Sequence, residues 1–202
     1  MSLPDIGNAE ASGKTVLVRA DLNVPMHNGR ITDATRIIRF APTVAALLQR
    51  GASVVVMSHL GRPGGVVNPT LSLVPVAKAL GAELGREVRF APDCVGAVAE
   101  RVTRALPAGS VAVLENLRFH PGEEANDRSF ALMLSVHADI YINDAPSCSK
   151  GAQASVSAIV PLMPAYAGPL LAAEAGTLDR NEALALPGIQ ALRSKHPILE
   201  DS

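Results

Sequence analysis

Tryptophan is absent, and aromatic residues of every kind make up 3% of the chain. Base-stacking platforms are built from aromatic faces, so stacking of nucleobases is not on offer. One-sided charge is missing too: 18 Lys and Arg stand against 19 Asp and Glu, a net charge of −1. Without a basic excess, neither nucleic acid nor a membrane surface is an expected partner. No apolar run approaches the ~20 residues that span a bilayer. Met1 to Gly13 contains acids and lacks an apolar stretch, so no secretory signal is expected there. Cysteine is scarce. Cys94 and Cys148 read as reduced thiols, which suits a cytoplasmic location.

What remains is apolar: 48% of 202 residues are hydrophobic, enough for one sizeable core. The chain is organised around Val54-Val55-Val56-Met57-Ser58-His59-Leu60-Gly61-Arg62-Pro63. Four apolar residues make a short buried strand between Gly51 and a Gly/Pro-rich loop, and His59 and Arg62 sit where the strand ends. Two other runs repeat this arrangement. Val16-Leu17-Val18 leads into Arg19, Asp21 and Asn23, with Arg36 further on, and Val111-Ala112-Val113-Leu114 leads into Glu115, Asn116, Arg118 and His120. Ligands of open parallel sheets bind outside the carboxyl ends of the strands. A small-molecule anion site at that edge follows.

Taken in order, Gly13-Lys14-Thr15 suggests a phosphate loop and fails as one, because it precedes a strand rather than following it. His27-Asn28-Gly29-Arg30 is a turn, and Asp33 and Thr35 offer caps before Arg36 to Phe40. Pro42 suits the first turn of a helix from Thr43 to Arg50. Helices are further expected over Leu73 to Leu84, Val95 to Leu106 and from about Asp127 to Val136, with strands at Val88 to Phe90, Ser110 to Leu114 and Ile140 to Ile142. Strand and helix alternate at least five times, so the class is α/β: a Rossmann-like three-layer sandwich with a mainly parallel sheet, followed by a C-terminal helix. Beyond Ser155 the pattern fades. Pro161 and Pro164 break an apolar run, Pro169 to Leu186 reads as one Ala-rich helix, and Pro187 to Ser202 as a loose tail. The division expected is a polar lead over 1–14, a domain over 15–165, and a helix with its tail over 166–202.

Four motifs then stand in one order: Val18-Arg19-Ala20-Asp21-Leu22-Asn23-Val24-Pro25, Asp33-Ala34-Thr35-Arg36-Ile37, Ser58-His59-Leu60-Gly61-Arg62-Pro63 and Leu114-Glu115-Asn116-Leu117-Arg118-Phe119. Together they resemble the amino-terminal domain of phosphoglycerate kinase over roughly Thr15 to Glu174. The resemblance implies two Rossmann-like domains facing each other across a hinge. The one seen here binds 3-phosphoglycerate or its 1,3-bisphosphate, and the other binds Mg-ADP or Mg-ATP. On that footing Asp21 and Asn23 bind the glycerate hydroxyl and carboxyl end. Arg36 lies beside the transferred phosphoryl group, the one catalytic role. His59, Arg62 and Arg118 hold the 3-phosphate, which the arginine fork suits. Taken singly, each residue has a plainer reading, since an Arg at a strand end is often solvated and an Asp before a turn is often a cap. Arg19 is expected to be structural, and His27, His120 and His137 carry no role.

The departures are also readable. Where the family carries His, Arg and His after Asn-Asp-Ala, this chain has Lys150, Gly151 and Gln153, and Pro146 replaces an aromatic. Gly151 is thus a degenerate position, and Lys150 lacks the fork. The family's glycine-rich nucleotide loop and its carboxylates for Mg-nucleotide are not found, so no cofactor is expected in this chain. Two function classes remain: a phosphoglycerate kinase whose nucleotide domain is supplied separately, inactive as this chain alone, or a non-catalytic relative that binds phosphoglycerate-like anions or a protein partner.

Overall fold

A parallel strand buried on both faces needs apolar residues throughout, and the strongest apolar runs of the chain form the centre of one sheet. The computed structural model describes residue 3, residues 6–178 and residues 180–195. Its first strand, β1, spans Thr15–Ala20. A short hairpin of β2 (Met26–His27) and β3 (Arg30–Ile31) follows. Its turn residues Asn28 and Gly29 have φ of 49° and 73°, the left-handed pair that a tight hairpin turn demands. Helix α1 (Thr35–Gln49), β4 (Ser53–Met57), α2 (Val74–Leu84), β5 (Val88–Ala91), α3 (Gly96–Arg104) and β6 (Val111–Leu114) come next. Then follow α4 (Pro121–Glu124), α5 (Arg128–Ser135), β7 (Ile140–Asp144), β8 (Ala165–Ala167), α6 (Pro169–Thr177), α7 (Arg180–Leu184) and α8 (Pro187–Lys195).

Six strands pair in the order β5-β6-β4-β1-β7-β8, all parallel. Side chains alternate across the pleat. Val16, Val18, Val54 and Val56 therefore pack with Phe40, Val44 and Leu47 of α1 and Leu80 of α2 on one face. Leu17, Val55, Leu114 and Tyr141 pack with Phe130 and Leu134 of α5 on the other. The Rossmann-like three-layer expectation holds. By the same alternation Arg19 points into the second face, where it is 1% exposed.

Three expectations are corrected. Helix α1 is continuous through Pro42, because Ile37, Phe40, Ala41, Val44 and Leu47 keep one buried stripe across it and packing outweighs the lost hydrogen bond. The helix expected over Pro169 to Leu186 is divided, since Leu178 turns extended at φ −84°, ψ 152°. The tail from Pro187 is helical to Lys195, with Ile189 and Leu192 wholly buried in the main core. Its start, Pro187-Gly188, is a helix opening rather than a break. A Cβ on Gly188 would come within 2.8 Å of Val156 and 2.9 Å of Ser149, so glycine allows the close approach. Beyond the five strands expected, β8 adds a sixth, paired with β7. Residues 196–202 of the expected tail lie outside the described residues.

Candidate anion-binding site

The chain leaves β1 for β4 and β5, returns to β6, and then crosses β1 to reach β7. This reversal opens a crevice at the carboxyl ends of the strands. The loops after β1, β4, β6 and β7 deliver Asp21 and Asn23, His59 and Arg62, Arg118, and Ser147 to it.

On one side of the crevice Arg36, in the first turn of α1, donates through Nη1 to Asp21 Oδ2. Ser147 Oγ donates to the same carboxylate oxygen and lies 3.5 Å from Arg36 Nη1. Asp21 is nearly buried, and the guanidinium is 46% exposed. Behind them a groove of about 490 Å³ runs between α1 and α6, lined by Arg36, Arg39, Asp144, Leu170 and Glu174. Asp144 closes its floor, accepting from Thr43 Oγ1 at 2.7 Å and from the Leu170 amide at 2.7 Å.

In the centre His59 is buried against Arg19, whose Nη2 lies 3.1 Å from His59 Nδ1. A guanidinium can only donate, so Nδ1 accepts and the ring hydrogen sits on Nε2. Burial, then the fields of Arg19, Arg118, Arg36 and Arg62, pushes the His59 pKa down to about 2. The imidazole is therefore a neutral donor, not a cation. Arg19 is itself anchored from behind: Nε donates to Ser155 Oγ at 2.8 Å, and Nη2 lies 3.9 Å from the buried Glu123 carboxylate. That carboxylate accepts from Ser155 Oγ at 2.6 Å and from the Ser155 amide at 2.9 Å.

On the far side the loop after β4 is held by residues from two other strands. Asn23 Oδ1 accepts from the Gly61 amide at 2.9 Å, and Arg118 Nη1 donates to the Gly61 carbonyl at 3.0 Å. Asn116 Nδ2 donates to the Leu60 carbonyl at 2.8 Å. Arg118 Nε lies 3.5 Å from Glu124 and has no hydrogen-bond partner although it is buried. Arg62 is exposed, with no hydrogen bond or ion pair among the described residues.

Asp21, Arg36 and Ser147 thus form one cluster, and Asn23, Gly61 and Arg118 another. His59 stands between them within the field of Arg36, Arg62 and Arg118. Gly151 brings no charge, and its φ lies outside the left-handed range. A Cβ there would run into the Gln153 side-chain amide. Lys150 is exposed. Sequence reasoning missed Ser147, Glu123 and Ser155. It assigned Arg19 to structure without its bond to His59; the one available signal was a charged residue in the middle of an apolar strand.

Fold and crevice together define a Rossmann-like parallel α/β domain with an arginine-rich crevice at the carboxyl edge of its sheet. The sequence profile described as phosphoglycerate kinase matches residues 6–185. The chain belongs to the phosphoglycerate kinase family. It is 46% identical over 206 residues to the phosphoglycerate kinase of Methylobacterium radiotolerans, covering 99% of this chain and 51% of that protein. To that of Methylorubrum extorquens it is 47% identical over 189 residues, 93% of this chain and 47% of that protein. The solved phosphoglycerate kinase of Coxiella burnetii superposes with a TM-score of 0.80 at 35% identity, over 89% of this chain and 45% of that one. That of Pyrococcus horikoshii OT3 gives 0.78 at 30% identity, over 85% and 44%. The chain thus spans about half the length of the relatives it matches. Among the described residues no helix is long and apolar enough to cross a membrane.

Proposed function

We propose that this chain is the phosphoglycerate-binding half of a cytoplasmic, glycolytic phosphoglycerate kinase, and that these 202 residues do not turn over by themselves. The observation that carries the reading is the convergence of Arg19, Arg118, Arg36 and Arg62 on one neutral imidazole. A phosphate dianion placed against it meets the Nε2–H of His59, the unpaired Arg62, and Arg118, whose Nε has no hydrogen-bond acceptor of its own. Charge-assisted, forked contacts of this kind are the strong ones. At the other end of the ligand Asp21 exchanges Arg36 for a glycerate hydroxyl, and Asn23 turns to the carboxyl end. The released Arg36 then faces the phosphoryl oxygens, on which charge develops during transfer.

In this reading Mg-nucleotide is held by residues other than those described here. Magnesium wants an octahedron of oxygens, whereas each of the two side-chain trios capable of holding a cation carries a thiol, an imidazole and a single carboxylate. The amides of Gly13 and Lys14 are also spent, on the Gly51 and Ala11 carbonyls. In this reading the nucleotide site is supplied from outside these residues, and no step here runs through it. Gly151, with Gln153 over it, favours a second reading, a non-catalytic relative with a weakened anion site.

Calorimetry with 3-phosphoglycerate on this chain, on Arg36→Ala and on Arg118→Ala, with inorganic phosphate as control, tests the site. A coupled assay with Mg-ATP, with and without a nucleotide domain from a relative, tests the activity. Binding that weakens in both variants, and turnover only with the added domain, is expected. No binding by the unaltered chain overturns the site assignment. Turnover by the chain alone overturns the nucleotide assignment. Binding without turnover even with the added domain favours the second reading.

A further inference from the structure

Among the described residues, two clusters bring a carboxylate, an imidazole and a cysteine thiol together, with ligand atoms within 4.8 Å of one another. They are Asp21, His59 and Cys148, and Asp93, Cys94 and His120. Their ligand sets are identical and their surroundings differ in the arginines. In the first, which shares residues with the proposed anion site, His59 Nδ1 is taken by Arg19, and the guanidinium charges of Arg19 and Arg118 bear on the Cys148 sulfur along with the carboxylates of Asp21 and Glu123. A cation placed there would find the Nδ1 lone pair already taken and a guanidinium beside it. In the second, the charged groups that bear on Cys94 are the carboxylates of Asp93, Glu123 and Glu115.

We propose that Asp93, Cys94 and His120 form a binding site for a borderline-soft divalent cation of the zinc type, with water in the fourth position. The donor set is the argument for that class, since zinc takes thiolate, imidazole and carboxylate together, whereas hard cations favour only the carboxylate of the three. The spacing agrees. Bond lengths of about 2.0–2.3 Å in a tetrahedron place ligand atoms roughly 3.3–3.6 Å apart. His120 Nε2 and Asp93 Oδ1 stand 2.7 Å apart and need to open by roughly that difference, which two half-exposed side chains can do. The sulfur is buried, and the imidazole and carboxylate form the open side.

The frame around the ligands is built. Asp93 Oδ1 accepts from the Cys94 amide at 2.7 Å, fixing the turn that precedes α3. The Cys94 carbonyl lies 3.0 Å from His137 Nε2, and the other nitrogen of that buried ring is 3.0 Å from Thr103 Oγ1. A carbonyl can only accept, so His137 donates through Nε2 and is locked in one tautomer. The His120 ring lies 5.4 Å from that of Phe130, which walls one side. A surface ion pair between Asp93 and His120 has no need of a converging thiol. A metal site does. Binding forms the sulfur–metal bond as the thiol proton leaves to solvent, and it clips the loop before α3 to the turn before α4.

Cobalt(II) titration of the tag-free chain reads the site directly, because a thiolate ligand gives a near-ultraviolet charge-transfer band and a tetrahedral site gives visible d–d bands. One equivalent should produce both, and zinc should displace them. Cys94→Ser should abolish the charge-transfer band, whereas Cys148→Ser should leave it unchanged. His120→Ala, a half-exposed change that spares the fold, should weaken binding at least ~10-fold, since even an outer partner of a metal ligand contributes about that much. No charge-transfer band at millimolar cobalt, a band that survives Cys94→Ser, one that is lost in Cys148→Ser, or unweakened binding in His120→Ala overturns the proposal.

Discussion

Acid should destabilise this domain through His59 before it touches the carboxylates. The ring is neutral and buried, with its pKa pushed from an ordinary 6.5 down to about 2 by burial and four arginines. In the unfolded chain the same ring binds a proton near its ordinary value. Between those two values the unfolded state holds more protons, so stability rises with pH and is lost as pH falls below about 6.5. Integrating that difference from about pH 7 to about pH 5 gives a loss of about 2 kcal/mol from this residue. The folded ring does not protonate within that window, so the loss is set by the unfolded value and is insensitive to where below about pH 5 the folded value lies. His59→Gln removes the titration and keeps an acceptor for Arg19. Urea unfolding of both proteins across that range is the assay. The wild type should lose about 2 kcal/mol more than the variant. His137, also lowered by burial, pulls the same way, and Asp144, raised by burial, pulls the other way. Both are common to the two proteins and cancel in the comparison. Parallel pH profiles would show that the imidazole is charged in the folded state and that the Arg19 bond has been misread.

Gly151→Arg should raise 3-phosphoglycerate affinity by part of about 10- to 150-fold, the equivalent of one hydrogen bond to a charged group. The Gln153 amide stands in its path, so Gly151→Arg with Gln153→Ala should bind more tightly than Gly151→Arg alone; calorimetry showing neither change refutes the assignment of that position. Leu192→Ala should cost about 2–5 kcal/mol in urea unfolding, because Leu192 is wholly buried in the main core, and a cost near zero would mean α8 does not pack. Gly168→Ala should cost about 1–3 kcal/mol, since a Cβ there runs into Asp144 and displaces the carboxylate from the Leu170 amide; an unchanged unfolding midpoint would show that the α6 end does not depend on that bond.

The centre of the sheet was legible because β1, β4, β6 and β7 are buried on both faces and spell continuous apolar runs. Strand β8 was not, since Ala165-Tyr166-Ala167 offers three residues between Pro164 and Gly168 and gains its identity only by pairing with β7. Proline misled at Pro42, which looks like a helix start and lies inside α1, and the stretch from Pro187, read as a loose tail for want of a clear period, opens α8. Helix propensity is local, and burial of Leu47 or Leu192 against distant strands is not. In the crevice, the arginines announce themselves by type and position after strands. What they touch does not: Arg36 with Asp21 and Ser147, or Arg19 with Ser155, are partners far apart in the chain.

The strand order also bears on how the chain is made. Strand β1 hydrogen-bonds to β4 on one side and to β7 on the other. The first partner is complete at Met57, and the second begins only at Ile140. At roughly 5–20 residues per second a ribosome needs roughly 4–16 s for residues 58–139. Throughout that interval the growing chain presents an apolar edge, Val16-Leu17-Val18, with no partner of its own and neither the proline nor the lysine that commonly guards one. The danger to a nascent polypeptide of this design is therefore a matter of seconds and of crowding between neighbouring ribosomes, and it ends when β7 emerges and docks.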